Sequence, residues 1–171
     1  MKKPVRIALT GFMGVGKSSV ARHLSNLTGL RRVDLDTFIE KNSGRKIASI
    51  LRTDGEEAYR RIESENLHRV LQLNGTAILS LGGGTWTVAE NRDLIKQYGF
   101  TSIWLESTFE HCWTNIRRSR KERPLANNRA AALELFDSRQ AVYCLADWHY
   151  IVRPDQTSYD VAQHIIEEVL V

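Results

Sequence analysis

A glycine-rich segment near the start of the chain constrains the fold more than any other feature. It reads Gly11-Phe12-Met13-Gly14-Val15-Gly16-Lys17-Ser18 and fits the pattern G-x-x-x-x-G-K-[ST]. Glycines let such a loop wrap with its amide groups pointing inward at phosphate oxygens. The apolar run 5–10 precedes the loop, and a helical pattern over 18–29 follows it. These residues predict a strand, a phosphate-binding loop and a helix whose N-terminus faces an anion.

The polar side chains of this loop indicate a nucleotide and a divalent metal. Lys17 is a mobile positive charge that can reach the terminal phosphates, and the Ser18 hydroxyl can join the coordination shell of a magnesium ion. The alternative is a glycine-rich turn that binds nothing. The predicted strand and helix on either side favour the phosphate-binding interpretation.

Further β-rich runs alternate with longer helical segments along the rest of the chain. Together with the first run, the predicted strands are 5–10, 31–35, 76–81, 101–105 and 149–153. Most are apolar without a clean alternation, as in strands that are covered on both faces. Alternating strands and helices indicate an α/β fold with a parallel sheet and helices on both of its faces. The length of 171 residues suits one domain.

Capping patterns predict where several helices begin and end. Three residue pairs have the spacing of a capping box or resemble one: Asp54 with Glu57, Ser107 with Glu110, and Thr157 with Asp160. Glycine closes many helices because it adopts the left-handed conformation easily. Glycines stand at three expected helix ends, namely Gly29, Gly44 and Gly75.

The positive charge of the chain is concentrated in one stretch, residues 117–129. The whole chain has 24 basic and 20 acidic residues, and this stretch holds six of the former and one of the latter, which leaves 18 and 19 elsewhere. A local cluster fits a compact anion such as a polyphosphate better than it fits a nucleic-acid duplex. The alternative is a solvated basic loop. We therefore expect no nucleic-acid partner.

Composition also limits the setting in which the protein works. No apolar run approaches the roughly 18 residues that span a bilayer, so no membrane association is expected. Cys112 and Cys144 have no metal-binding spacing, and the N-terminal segment lacks the cleavage site of a secretory signal. These features predict a reduced, cytoplasmic protein. No strong exposed apolar stripe can be assigned, so we expect a monomer.

Two carboxylates follow the second predicted strand, in Asp34-Leu35-Asp36. In an extended segment both would lie on one face, at the strand end where ligands of α/β proteins bind. One carboxylate can hold magnesium, and the other can orient or deprotonate an attacking hydroxyl. The alternative is that Asp36 only caps the helix beginning at Thr37. The third strand does not end in Asp, and no Asn-Lys-x-Asp occurs, which argues against motor ATPases and GTPases.

Three successive glycines, Gly82 to Gly84, follow the third predicted strand. They would let the backbone approach a small polar ligand closely, or they form a flexible turn. Arg60 and Arg139 lie on predicted helices and could bind an anion. The alternative for Arg60 is a surface ion pair with Glu57 or Glu63.

These segments together resemble the shikimate kinase family over essentially the whole chain. The resemblance rests on motifs in a family-like order: GFMGVGKSSVARHLS, VDLDTFIEKNSGRKIASILRTDGEEAYRRIE, ILSLGGG, ENRDLI, RSRKERPLA and SRQAVYCLAD. It implies a three-layer α/β/α fold with a five-stranded parallel sheet in the order 2-3-1-4-5, as in P-loop nucleoside monophosphate kinases. It also implies one kinase domain over 1–171, with substrate-binding helices at about 36–65 and a mobile lid at about 117–129.

The resemblance implies transfer of the γ-phosphoryl group of ATP to the 3-hydroxyl of shikimate, with Mg²⁺ as cofactor. The implied catalytic residues are Lys17, Asp36 and Arg123. The implied nucleotide-binding residues are Gly14, Val15, Gly16, Lys17, Ser18, Ser19, Arg118, Arg123 and Gln156. The implied metal-binding residues are Ser18 and Asp34. The implied shikimate-binding residues are Asp36, Arg60, Gly82, Gly83, Gly84 and Arg139.

Two other functions stay open at this point. One is a related P-loop small-molecule kinase such as a gluconate kinase, and the other is a non-catalytic nucleotide-binding homologue. The chain departs from the family pattern at several positions, including Tyr59 in place of a common Phe. Trp86, just after the three glycines, either forms a wall of the substrate pocket or packs in the core.

Overall fold

The central layer of the computed structural model, which describes residues 4–170, is a parallel sheet of five strands. The strands are β1 (Ile7–Thr10), β2 (Arg31–Asp34), β3 (Thr76–Ser80), β4 (Thr101–Glu106) and β5 (Trp148–Ile151). Their spatial order is β2-β3-β1-β4-β5, and every pairing is parallel. The predicted fold class, strand set and strand order are confirmed, with strand ends shifted by one or two residues.

Within residues 4–170, eight α-helices connect and flank the strands. They are α1 (Lys17–Thr28), α2 (Leu35–Ser43), α3 (Ile47–Asp54), α4 (Glu56–Gln72), α5 (Ala89–Gln97), α6 (Phe109–Arg118), α7 (Arg129–Tyr143) and α8 (Ser158–Ile165). Short 3₁₀ turns cover Thr85–Thr87 and Pro124–Ala126, and a π-helical segment, Ile166–Leu170, continues α8. In the described part of the chain, 4–170, no helix combines the length and apolarity needed to cross a membrane.

The central strands of the sheet are apolar because helices cover both of their faces. Every residue of β1 and β3 is buried, whereas most residues of the edge strand β5 are exposed. The main core forms around these central strands and includes Leu9, Ile78 and Ile103. Trp86 is 4 % exposed, and its indole nitrogen donates to the carbonyl oxygen of Val142 at 3.0 Å. Of the two alternatives for Trp86, the structure supports packing in the core.

Helix capping agrees with the sequence at one of the three predicted starts. Thr157 and Asp160 form the expected capping box of α8. Thr108, not Ser107, caps α6, so that prediction is wrong by one residue. Asp54 ends α3 and pairs with Arg45, so the capping box predicted for Asp54 and Glu57 is wrong.

The parallel sheet brings several functional segments to one edge. The phosphate-binding loop follows β1, α2 follows β2 directly, and the three glycines follow β3. The loop before α8 follows β5. Because the carboxyl ends of parallel strands share one edge, these segments surround a common space.

Candidate active site

The phosphate-binding loop leaves the first turn of α1 open to an anion. Gly16 is the N-cap residue of α1, and no side chain caps the helix there. Its φ of 104° and the φ of 82° at Gly14 lie in the left-handed region that glycine tolerates. A Cβ on Gly14 would also lie 2.5 Å from the carbonyl oxygen of Cys112, so α6 packs directly against the loop. The free amides and the helix dipole together favour phosphate at this point.

Lys17 is folded back onto the loop. Its ammonium donates to the carbonyl oxygens of Gly11 at 2.6 Å and Phe12 at 3.0 Å, and the residue is 8 % exposed. Burial lowers the pKa of Lys17 to about 7, although the nearby Asp36 carboxylate opposes the shift. The loop thus holds a buried cation whose charge an incoming phosphate would stabilise.

Ser18 and Asp34, the two residues predicted to bind a metal, are joined by a hydrogen bond. The Ser18 hydroxyl donates to Asp34 Oδ2, and the amide and hydroxyl of Thr37 donate to Asp34 Oδ1 at 3.0 and 3.1 Å. Burial by itself would raise the pKa of Asp34, but these hydrogen bonds outweigh it and lower the pKa below its usual value. Asp34 is therefore an ionised carboxylate beside a hydroxyl, a suitable set of hard oxygen ligands for magnesium.

Asp36 does not lie on the extended strand with Asp34. It sits in the first turn of α2, and Asp34 is the residue that caps this helix. The expectation that both carboxylates share one face of a strand is wrong, and so is the alternative that Asp36 is the cap. The turn into α2 instead directs the two carboxylates to different neighbours.

A cleft of about 810 Å³ contains all the predicted substrate residues. These residues come from α2, α4, the segment after β3, and α7, and they are Asp36, Arg60, Gly82, Gly83, Gly84 and Arg139. Residues of the basic stretch 117–129, including Lys121 and Arg123, form another part of the lining. The structure therefore brings residues more than 100 positions apart into one anion-binding space.

The three glycines allow the charged side chains to come close to the backbone. A Cβ on Gly82 would lie 2.8 Å from Asp36 Oδ1, and one on Gly83 would lie 3.2 Å from Arg139 Nη1. A Cβ on Gly84 would overlap the guanidinium of Arg60. None of the three has a positive φ. Glycine is needed at these positions because charged side chains approach the backbone closely, and not because the backbone makes an unusual turn.

Arg60 is held in place by a buried acid. Its guanidinium donates to Glu63 at 2.8 Å, and Glu63, which is fully buried, also accepts from the hydroxyls of Thr85 at 2.9 Å and Tyr59 at 3.2 Å. Burial alone would lower the pKa of Arg60, but the ion pair with Glu63 raises it above the usual value. The pairing with Glu63 matches one alternative from the sequence, yet Arg60 also lines the cleft.

Arg139 has a buried hydrogen-bond donor that no residue within 4–170 accepts from. It is 6 % exposed, and within residues 4–170 its Nη1 atom is buried without a hydrogen-bond partner. A buried guanidinium nitrogen without an acceptor is unfavourable, so an anionic ligand would stabilise it.

A second cleft, of about 510 Å³, surrounds the phosphate-binding loop. Its lining includes Gln156, as the sequence predicts, and also His111 and Asn115. Arg118 is exposed at the end of α6 and lies outside the lining of both clefts, so its contact with a nucleotide base stays a prediction. The two clefts share a wall that includes Ser18, Asp34, Asp36, Lys121 and Arg123.

Sequence reasoning missed two polar residues, Lys121 on the shared wall and Asn115 in the second cleft. Lys121 donates to Asp36 Oδ2 at 2.7 Å, and Asn115 donates to the carbonyl oxygen of Gly14 at 2.8 Å. The basic run 117–129 contains Lys121, but only its arginines were assigned roles. For Asn115 the sequence carries no signal, because its partner lies 101 positions away.

The cleft around the phosphate-binding loop adjoins a cleft lined by arginines and carboxylates. This arrangement is typical of a P-loop kinase that phosphorylates a small anionic acceptor. The shikimate kinase family model matches residues 13–170. The chain belongs to the shikimate kinase family, and its activity is that of an ATP-dependent kinase of this family, as the sequence resemblance implies.

Individual relatives agree with the family model. The shikimate kinase of Streptococcus thermophilus is 38% identical over 161 residues, which covers 92% of this chain and 96% of the relative. That of Persephonella marina is 37% identical over 168 residues, with 95% and 98% covered. The solved structure of shikimate kinase from Acinetobacter baumannii in complex with shikimate has a TM-score of 0.88 at 30% identity and covers 99% of this chain and 94% of its own.

Proposed function

We propose that the two clefts bind ATP and shikimate side by side, and that the protein transfers the γ-phosphoryl group of ATP to the 3-hydroxyl of shikimate. One observation supports the assignment of these residues to the two substrates. The cleft that holds Arg60, Arg139 and Asp36 shares a wall with the phosphate-binding loop. A donor phosphate and an acceptor hydroxyl can therefore meet without either substrate crossing solvent.

Arg60 and Arg139 bind the carboxylate of shikimate in this proposal. Glu63 orients Arg60, and the unpartnered Nη1 of Arg139 supplies a further donor. Arginine suits this task because its planar group makes two parallel hydrogen bonds to a carboxylate. Gly82, Gly83 and Gly84 line the cleft and let these charged side chains lie against the backbone.

Asp36 accepts the hydrogen bond of the attacking hydroxyl. The hydroxyl oxygen forms a bond to the γ-phosphorus, the bond from that phosphorus to the oxygen of ADP breaks, and Asp36 takes the hydroxyl proton. Arg123 lies on the same wall, and within residues 4–170 its buried Nε has no partner. It is placed to stabilise the charge of the transferred phosphoryl group.

The donor cleft holds the phosphates with main-chain amides of Gly14 to Ser19 and with Lys17. Ser18 and Asp34 fit a magnesium ion, because the pair offers a hydroxyl and an ionised carboxylate next to the phosphates. When bound, the ion neutralises phosphate charge. Gln156, and more distantly Arg118, would contact the base.

The remaining assignments complete the proposal. Helices α2 to α4 act as the substrate-binding part, and residues 117–129 act as a lid within one domain over 1–171. A basic lid would exclude water from the γ-phosphate and so limit futile hydrolysis. We further propose that the protein works as a cytoplasmic monomer.

Release of ADP from fixed ATP and magnesium, measured with and without shikimate, tests this function. We expect ADP release to depend on shikimate and to be matched by an equal amount of shikimate 3-phosphate. Gluconate and nucleoside monophosphates serve as control acceptors. ADP release that ignores shikimate, or that responds better to gluconate, would refute the proposed function.

A further inference from the structure

Lys121 reaches from the lid to the proposed acceptor carboxylate. Its ammonium donates to Asp36 Oδ2 at 2.7 Å, although the two residues are 85 positions apart. The neighbouring lid residue Glu122 pairs with Arg52 on α3. Two consecutive lid residues are thus bound to the substrate-binding helices.

The two oxygens of Asp36 have different surroundings. Oδ1 is buried without a hydrogen-bond partner from residues 4–170 and lies against Gly82. Oδ2 is the oxygen that Lys121 occupies. A substrate hydroxyl that enters from the cleft therefore meets an oxygen that already has a charged donor.

The charges around Lys121 indicate that Asp36 holds it there. Asp34 is also close enough for Lys121 to contribute to the lowering of its pKa, but Ser18 and Thr37 already satisfy the Asp34 oxygens. Two cations, Lys17 and Arg123, line the second cleft together with Lys121. Once another donor takes Oδ2, repulsion by these cations favours departure of the lysine.

We propose that Lys121 is a lid-borne competitor of the substrate hydroxyl for Asp36. It occupies Oδ2 until shikimate binds and displaces it. Lys121 is a positioning residue, because it acts through Asp36. This inference rests on the proposed function, since it takes Asp36 as the group that receives the hydroxyl.

The expected effect is modest because the ion pair is partly open to water. The side chains of Lys121 and Asp36 are 44% and 23% exposed. Pairs of this kind are weak, so removal of the competitor should tighten shikimate binding about two- to fivefold. A lysine stem is flexible, so its displacement needs no large movement of the lid backbone.

Calorimetric titration of shikimate into nucleotide-free protein tests the proposal. We expect Lys121→Met to bind shikimate more tightly than wild type, and Lys121→Arg to stay near wild type. In an Asp36→Asn background, Lys121→Met should bring no gain. Lys96→Met, at an exposed lysine on α5 outside both clefts, is the matched control and should leave affinity unchanged.

Two results would overturn the role of Lys121. One is equal or weaker shikimate binding by Lys121→Met, which would make the lysine neutral or a direct substrate ligand. The other is an equal gain with Asp36→Asn, which would trace the effect to a loosened lid. Failure of the proposed function looks different, because wild-type protein would then not bind shikimate at all.

Discussion

The two clefts are built on different principles. The donor cleft, which surrounds the phosphate-binding loop, has one long continuous segment in its lining, residues 13–20 at the start of α1, where we propose that backbone amides bind phosphate. The acceptor cleft takes single side chains from α2, α4 and α7 and sets them against three glycines. Backbone binding suits a phosphate chain that many proteins share, whereas separate side chains suit one particular acceptor. Changes in the two clefts should therefore separate nucleotide binding from acceptor use.

The largest separation is expected from Asp36→Asn. Loss of the proton acceptor should lower kcat about 10²- to 10⁴-fold, while nucleotide affinity stays within twofold of wild type. Initial rates and calorimetric titration of an ATP analogue measure the two quantities. A variant that retains more than a tenth of wild-type kcat would remove Asp36 from the chemical step.

Gly84→Ala should damage the acceptor cleft alone. The new methyl group would overlap the Arg60 guanidinium and push it from its pair with Glu63. The shikimate KM should rise about 10- to 100-fold, the range expected when a charged hydrogen bond worth about 1.5–3 kcal/mol is disturbed. The ATP KM should not change. Gly44→Ala is the control for a loss of stability alone, because its Cβ meets nothing while its φ of 66° strains an alanine at a helix end outside the cleft.

Tyr59→Phe removes one hydrogen bond from Glu63 and keeps the ring. Since Glu63 retains Arg60 and Thr85 as donors, we expect the shikimate KM to rise only about two- to fivefold, in line with about 0.5–1 kcal/mol. Thermal unfolding of both proteins checks that the fold is unaffected. No change in KM would mean that Thr85 and Arg60 alone position Glu63.

A change with pH is expected in the donor cleft. Burial lowers the pKa of Lys17 to about 7, and a bound phosphate should raise it again. Nucleotide binding at pH 8 should therefore take up roughly 0.5–0.9 proton, and affinity should fall as pH rises from 7 to 9. Titration in buffers of different ionisation enthalpy measures the uptake. Lys17→Arg should show none, and equal uptake by this variant would assign the proton to another group.

The contrast between a continuous segment and side chains from distant segments also explains which parts of the site could be predicted from the sequence. The phosphate-binding loop, the strands and their helices have local signals, and the structure agrees with them. The contact between Gly84 and Arg60, or between Lys121 and Asp36, joins distant segments and leaves no local pattern. The assignment of Arg60 and Arg139 to the acceptor therefore rests on resemblance to a family, whereas Asp36 also has a local signal in Asp34-Leu35-Asp36.

Capping patterns predict the wrong residue where two nearby residues could both cap a helix. Asp34 and Asp36 both had the right type to cap α2, and only the backbone turn after β2 decides for Asp34. Thr108 and Ser107 present the same choice at α6. A hydroxyl or carboxylate can cap from either position, so composition alone does not select one of them.

A crystal structure with shikimate, magnesium and a non-hydrolysable ATP analogue tests the central claim most directly. We predict the shikimate carboxylate on Arg60 and Arg139, its 3-hydroxyl on Asp36, and the γ-phosphate on the phosphate-binding loop facing that hydroxyl. Shikimate bound elsewhere, or an occupied cleft in which Asp36 faces away from the γ-phosphate, would contradict the account.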